Sequence, residues 1–272
     1  MGFNQMLADA VARNHSLVCV GLDPDLTRIP AHLLRQPRPI FRFNKTIIDA
    51  TVGFVCAYKP QIAYYAAAAA EEQLSMTIDY IHTNFPHIPV ILDAKRNDIG
   101  STAAQYAREA FERYGADAVT VTPYLGGDTL RAFLDYEDKG VIVLCRTSNP
   151  GAGDLQDLNV DGQPLFETVA RKAAGPWNYN KNICLVVGAT WPEQLKKIRS
   201  IVGDMNLLVP GIGAQGGDVE AVMQNGLTAQ KMGLIINSSR SILYAGDGED
   251  FAQAARAATQ KLRDQINAFR HR

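Results

Sequence analysis

The stretch ILDAKRNDIGST, Ile91 to Thr102, decides how the chain is read. Its first residues close an apolar run, IPVILDAK, with the length and composition of a strand buried on both faces. Directly behind that run stand Asp93, Lys95 and Asp98, at positions i, i+2 and i+5. Side chains two apart on a strand point the same way, so Asp93 and Lys95 are expected to face one common space. Asp98 falls past the strand end, in the turn leading to TAAQYAREAFERYG, where apolar residues recur at helical spacing. A strand that ends in charges and feeds a helix is one unit of an alternating α/β chain.

Seven further runs have the same character: SLVCVGLD, GFVCAYKP, ADAVTVTP, GVIVLCRT, NICLVVGA, NLLVPGIG and KMGLIINS. Each is short, rich in Val, Ile and Leu, and ends near Gly, Pro or a polar residue. Helical periodicity lies between them, as it does in GFNQMLADAVARN at the start. The tail from Phe251 carries it through Ala254, Ala255, Ala258, Leu262, Ile266 and Phe269. Eight alternations predict an α/β chain folded as a (β/α)₈ TIM barrel, a single domain over residues 1–272 with N-terminal and C-terminal helices. A doubly wound sheet is the alternative, because GIGAQG, Gly211 to Gly216, matches G-x-G-x-x-G. That fingerprint belongs in the first βα unit with an acid about twenty residues on. Here it follows the seventh run, and the eighth ends in Asn237, Ser238, Ser239 and Arg240. In a barrel, the loops after strands seven and eight commonly hold phosphate on backbone N–H groups, with Arg240 as the cation. Tight turns are the plainer use of the same glycines.

Composition sets the outer bounds. With 272 residues and 47% hydrophobic content, the chain can bury a full core. Lys and Arg number 27 against 28 Asp and Glu, so there is no basic excess for a nucleic-acid backbone. No apolar run reaches the length of a membrane span, and the N-terminal stretch lacks a signal peptide's apolar block, so the chain is expected to be cytoplasmic. Cys19, Cys56, Cys145 and Cys184 each lie inside an apolar segment and read as buried thiols. The five histidines are scattered without i, i+4 spacing, and no metal site is predicted.

In a barrel every strand ends at one rim, where polar residues take a functional meaning. Those residues are Asp23, Lys59, Asp93 with Lys95, Thr122, and Ser148 with Asn149. A salt-bridged cluster that merely holds the loop is the alternative, but two inward charges beside Lys59 are costly to keep for packing alone.

The run DAKRNDI resembles the D-x-K-x-x-D-I signature of the orotidine 5'-phosphate decarboxylase family. VGLDP, YKPQ, TSNPGA, VPGIGAQGGD and SRSI are similar to that family's other rim motifs, in the same order and over nearly the whole chain. TSNPGA and the long segment behind it most resemble the longer bacterial branch. The resemblance implies decarboxylation of orotidine 5'-phosphate to UMP and CO₂, the last step of de novo UMP synthesis, without metal or organic cofactor. Residue by residue, it implies that Lys95 stabilises and protonates the C6 carbanion while Asp93 lies near the substrate carboxylate. Asp23 and Lys59 match the residues at the ribose hydroxyls, with Lys59 completing an alternating row of charge. Ser148 matches the pyrimidine contact, and Gln215 and Arg240 match phosphate ligands. Asp98 and Thr102 match residues lent by a partner subunit, which implies a homodimer with shared active sites.

Two features depart from the commonest wording of the family. Ser239 stands where many members have Gly, and the segment between the fifth and sixth runs is long. Its Gly- and Asp-rich first part suggests a lid, and LFETVARKAA reads as a helix. A metal-dependent sugar-phosphate decarboxylase or aldolase of the same superfamily is the nearest rival. That branch has an acidic metal ligand near the position of Lys59, where a cation would repel Mg²⁺. A catalytically silent nucleotide-binding protein is the other, but it has no need of an intact Asp93, Lys95 and Asp98.

Overall fold

The computed structural model describes residues 1–212 and 217–270. The eight apolar runs each contain a strand: β1 (Val18–Leu22), β2 (Ala57–Pro60), β3 (Ile91–Arg96), β4 (Ala118–Val121), β5 (Gly140–Arg146), β6 (Ile183–Val187), β7 (Leu207–Val209) and β8 (Leu234–Ser238). All pair in parallel, in the order β2, β1, β8, β7, β6, β5, β4, β3. Bridges from Tyr58 to Val90 and from Gln61 to Asp93 join β2 to β3 and close the barrel. β1, β2, β6 and β8 are buried at every position, because the helices cover the outer face and the barrel interior covers the other.

The helical segments fall between the strands as their periodicity predicts. They are α1 (Phe3–Asn14), α2 (Pro39–Thr51), α3 (Glu71–Asn84), α4 (Gly100–Arg108), α5 (Gly127–Leu134), α6 (Leu165–Ala174), α7 (Pro192–Val202), α8 (Val219–Gly226) and α9 (Phe251–Arg270). α1 lies across the N-terminal ends of the strands, where Phe3 N donates to Asp138 O and Asn4 donates to Lys181 O, just ahead of β5 and β6. That closure leaves the opposite end as the open mouth. α9 turns Phe251, Ala255, Leu262 and Ile266 inward and packs against α2. The helix expected over TAAQYAREAFERYG is α-helical only to Arg108; Glu109–Arg113 continue as a π turn.

Between β5 and α6 the long segment is built rather than loose. It forms a turn at Pro150–Ala152, a short helix at Gly153–Gln156, and a hairpin pairing Asn159 with Pro164 and Val160 with Gln163. Among the described residues no helix is long and apolar enough to cross a membrane. All four cysteines are unpaired and buried, and burial pushes the Cys19 and Cys184 thiols up to about 12, so they stay protonated.

Candidate active site

Asp93 is the centre of the barrel mouth. Its Oδ2 accepts a 2.7 Å hydrogen bond from Lys59 Nζ, and its Oδ1 accepts one of 2.7 Å from Lys95 Nζ. Thr120 Oγ1 donates a third, at 2.8 Å, to the same Oδ1. Lys59 and Asp93 are only 4% and 7% exposed, whereas Lys95 faces the open cavity. Burial alone would push the Asp93 carboxyl up, but the two ammonium groups outweigh it and hold the carboxyl far below its ordinary value. Burial likewise opposes the Lys59 charge, and Asp93 and then Asp23 overcome it, so its pKa is raised above that of a free lysine. Asp93 and Lys59 are therefore both ionised across the neutral range. The cluster is also preorganised, since each charge is fixed by its neighbour before any ligand arrives.

Lys95 and Asp93 meet, though not through plain strand alternation. The β3–β4 register shifts between Leu92 and Arg96, and Lys95 sits at φ 48°, in the left-handed region. Both Ala94 N and Lys95 N leave the ladder and donate to Thr120 Oγ1, at 3.0 Å each. A bulge of this kind re-aims a side chain, and here it swings the Lys95 ammonium back onto its own strand's Asp93. One threonine thus holds the bulge and the carboxylate together. Strand periodicity places Thr120 and Thr122 on the same side of β4. Thr122 was the rim residue expected, but Thr120 is the one that reaches the charges. Beyond the bulge, Arg96 forms a double hydrogen bond with Glu109 at 2.9 and 3.2 Å, tying the strand end to the π turn.

A cavity of about 760 Å³ opens above this cluster. Asp23, Lys59, Asp93, Lys95, Ser148 and Arg240 all line it, so six of the nine residues expected at the site share one space. Asp98 and Thr102 are not among its described lining residues. Asp98 accepts from Ile99 N in the turn after β3, and Thr102 is exposed on α4. Gln215 lies outside the described residues, as do Gly213 to Gly216 of the glycine-rich stretch. Gly211 and Ile212 line the cavity beside Arg240, which is exposed at the first residue of the short helix Arg240–Leu243.

Two buried oxygens mark where a polar ligand would be received. Asp23 Oδ1 and Asn237 Oδ1 have no hydrogen-bond partner among the described residues, an arrangement that is costly unless something polar fills it. Tyr244 holds Asp23 in place: its hydroxyl accepts from Asp25 N at 2.7 Å and donates to Asp23 O at 3.0 Å. Asn237 was not singled out in the sequence, although its place at the end of β8 beside Arg240 could have suggested it. Ser239 packs over Gly21 so closely that a Cβ on Gly21 would lie 1.9 Å from the serine hydroxyl. Among the described residues, no three His, Cys, Asp or Glu side chains are grouped so as to hold a metal ion.

A closed (β/α)₈ barrel whose open mouth holds a buried carboxylate between two ammonium groups is the frame of a barrel enzyme with its chemistry at the C-terminal strand ends. Residues 16–257 match the model of the orotidine 5'-phosphate decarboxylase / HUMPS family, and the chain belongs to that family. It is similar to an orotidine 5'-phosphate decarboxylase of Cellvibrio japonicus, 60% identical over 99% of this chain and 100% of the relative. It is also similar to one of Ralstonia pickettii, 58% identical over the full length of both. The structure of Leishmania donovani OMP decarboxylase superposes with a TM-score of 0.89, at 40% identity and 100% coverage of both chains.

Proposed function

We propose that the chain decarboxylates orotidine 5'-phosphate to UMP and CO₂, the closing step of pyrimidine nucleotide synthesis, with its own side chains supplying all of the chemistry. The Lys59–Asp93–Lys95 row carries this reading. Breaking the bond between C6 and the carboxylate leaves an electron pair on C6, which needs a cation beside it and a proton to accept. Lys95 offers both: its ammonium faces the cavity, and Asp93 Oδ1 fixes it at 2.7 Å. The N–H proton passes to C6, the neutral amine is reprotonated from water, and CO₂ leaves with its two oxygens unchanged. A substrate carboxylate seated against the ionised Asp93 is repelled until CO₂ departs. Lys59 balances Asp93 from below, and its ammonium would repel a divalent cation there.

The rest of the cavity suits a nucleotide. In this reading Asp23, whose Oδ1 has no hydrogen-bond partner among the described residues, and Lys59 meet the ribose hydroxyls, Arg240 and Gly211 meet the phosphate, and Ser148 meets the base. Phosphate contacts are remote from C6, but their binding energy can be used to organise the reacting end. We further propose a homodimer in which Asp98 and Thr102 serve the neighbouring subunit's site. Their position off the cavity supports this, as do the exposed apolar side chains Ile99, Tyr124 and Leu125 on the two adjoining rim loops. Asn97 Nδ2 donates to Thr122 O and ties those loops into one surface. Residues 1–272 are read as one domain, which the packing of α1 and α9 on the same barrel supports. The four free thiols support a reducing, cytoplasmic setting.

The test is spectroscopic: consumption of orotidine 5'-phosphate and appearance of UMP, with and without exhaustive chelation. Turnover that survives the chelator is expected. No consumption refutes the reading, and loss restored by Mg²⁺ points to the metal-dependent branch.

A further inference from the structure

Arg146, the last residue of β5, has the largest fully buried side chain described in the protein. A buried guanidinium is costly unless its donors are filled, and here they are directed to the segments that wall the cavity. Nη1 donates to Gln156 Oε1 and Nη2 to Asp157 Oδ2, both at 3.1 Å, and Nε donates to Gln194 of α7. The Trp191 ring lies 4.4 Å from the guanidinium carbon. One side chain thus ties the end of β5 to the short helix Gly153–Gln156 and to the segment after β6.

What those partners do next converges on Thr147. Gln156 Oε1 also accepts from Thr147 N at 2.9 Å, while Gln156 Nε2 donates to Thr147 Oγ1 at 2.9 Å. Trp191 Nε1 donates to Thr147 O at 3.0 Å, and the Thr147 hydroxyl donates to Asn149 at 2.7 Å. Every hydrogen-bonding group of Thr147 is engaged, and the next residue is Ser148. From the other side Gly188 presses on Ser148, leaving room for no Cβ: one placed there would lie 2.9 Å from Ser148 N, Cα and Cβ.

We propose that Arg146, acting through Gln156, is a positioning residue that sets Ser148 and the Thr147–Gln156 wall for the part of the ligand farthest from its phosphate. The topology assigns that part. Arg240 and Gly211 follow β8 and β7, Asp23 follows β1, Lys59 is on β2, and β5 lies across the barrel from β1. A nucleotide anchored by phosphate and ribose on the first group presents its base to β5. Residues 151–156, the start of the segment that sequence suggested as a lid, are part of a wall pinned from beneath.

The inference rests on the nucleotide reading, and wild-type protein tests that reading separately by its affinity for UMP. The variants are Gln156→Leu, on the partly exposed wall, and Arg146→Lys, which keeps the charge but cannot span three partners. Inhibition constants for UMP and for ribose 5-phosphate are measured on each, together with the thermal midpoint. Affinity for UMP is expected to fall about tenfold, as for one lost hydrogen bond to the base, with ribose 5-phosphate within about twofold of wild type. In a Ser148→Ala background the Gln156→Leu loss should largely vanish, because both changes act on one contact. Equal weakening of both ligands, or full additivity with Ser148→Ala, overturns the proposal. Unchanged UMP affinity in Gln156→Leu overturns it as well, whatever Arg146→Lys does to folding.

Discussion

Replacing Thr120 by valine keeps shape and volume while removing one hydroxyl, and the structure says what that hydroxyl holds. It donates to the ionised Asp93 and accepts from the backbone N–H groups of Ala94 and Lys95. Thr120 is 1% exposed, so water cannot take its place. A hydrogen bond to a charged group contributes about 2 kcal/mol, and each stranded N–H costs about 1 kcal/mol, so Thr120→Val should destabilise the fold by roughly 4 kcal/mol. The damage to catalysis has a separate origin. Lys95 is held in left-handed backbone that disfavours a side chain, and its N–H bond to Thr120 is part of what holds it. Released, the bulge relaxes and the ammonium moves; a displacement of about 1 Å at a reacting group costs on the order of a hundredfold in rate. Thr120→Ser keeps the hydroxyl and loses a methyl, about 1 kcal/mol, with near-normal turnover. Urea unfolding and steady-state kinetics on orotidine 5'-phosphate measure both effects. If Thr120→Val unfolds at the wild-type midpoint, or if serine is as impaired as valine, the hydroxyl does not anchor the bulge.

Arg240→Ala should cut kcat/KM for orotidine 5'-phosphate by about tenfold to a hundredfold, as for a lost charge-assisted hydrogen bond, and much less for orotidine; an equal loss on both would make Arg240 structural. Mixing Lys95→Ala and Asp98→Ala proteins with subunit exchange should restore roughly a quarter of wild-type activity, because half of the dimers carry one complete site. Verified exchange with no recovery places Asp98 in its own subunit's site or outside the chemistry. The depressed carboxyl of Asp93 adds stability that is fully present above its ordinary value of 3.8 and is lost as pH falls below it. The raised pKa of Lys59 adds stability present below 10.5 and lost as pH rises past that value. The unfolding free-energy difference between wild type and the Lys59→Met, Asp93→Leu double variant should therefore stay flat from about pH 5 to 9. A difference that titrates near neutrality would show that the pair is not ionised as described.

Strand order and barrel closure were legible because most strand positions are buried on both faces and so appear as apolar runs. The helix over Glu109–Arg113 shows the limit, since apolar spacing does not distinguish an α from a π turn over five residues. Asp93 and Lys95 were legible as residue types at a strand end. The bulge that joins them was not, because register is a property of two strands and Thr120 lies 25 residues from Lys95. Arg146 ends an apolar run and looks like a solvated strand terminus; its burial depends on Gln156, Asp157 and Gln194, which no local pattern connects to it. Asp98 and Thr102 carried a motif match, yet a single chain does not place them at its own cavity.

The contact between Gly21 and Ser239 has a historical consequence. The serine hydroxyl occupies the volume that a side chain on β1 would need, so the two positions share a single space. A side chain at 21 requires the serine at 239 to turn its hydroxyl away or to be replaced by something smaller. The two positions are thus coupled in evolution, and a lineage that enlarges 21 is expected to change 239 with it.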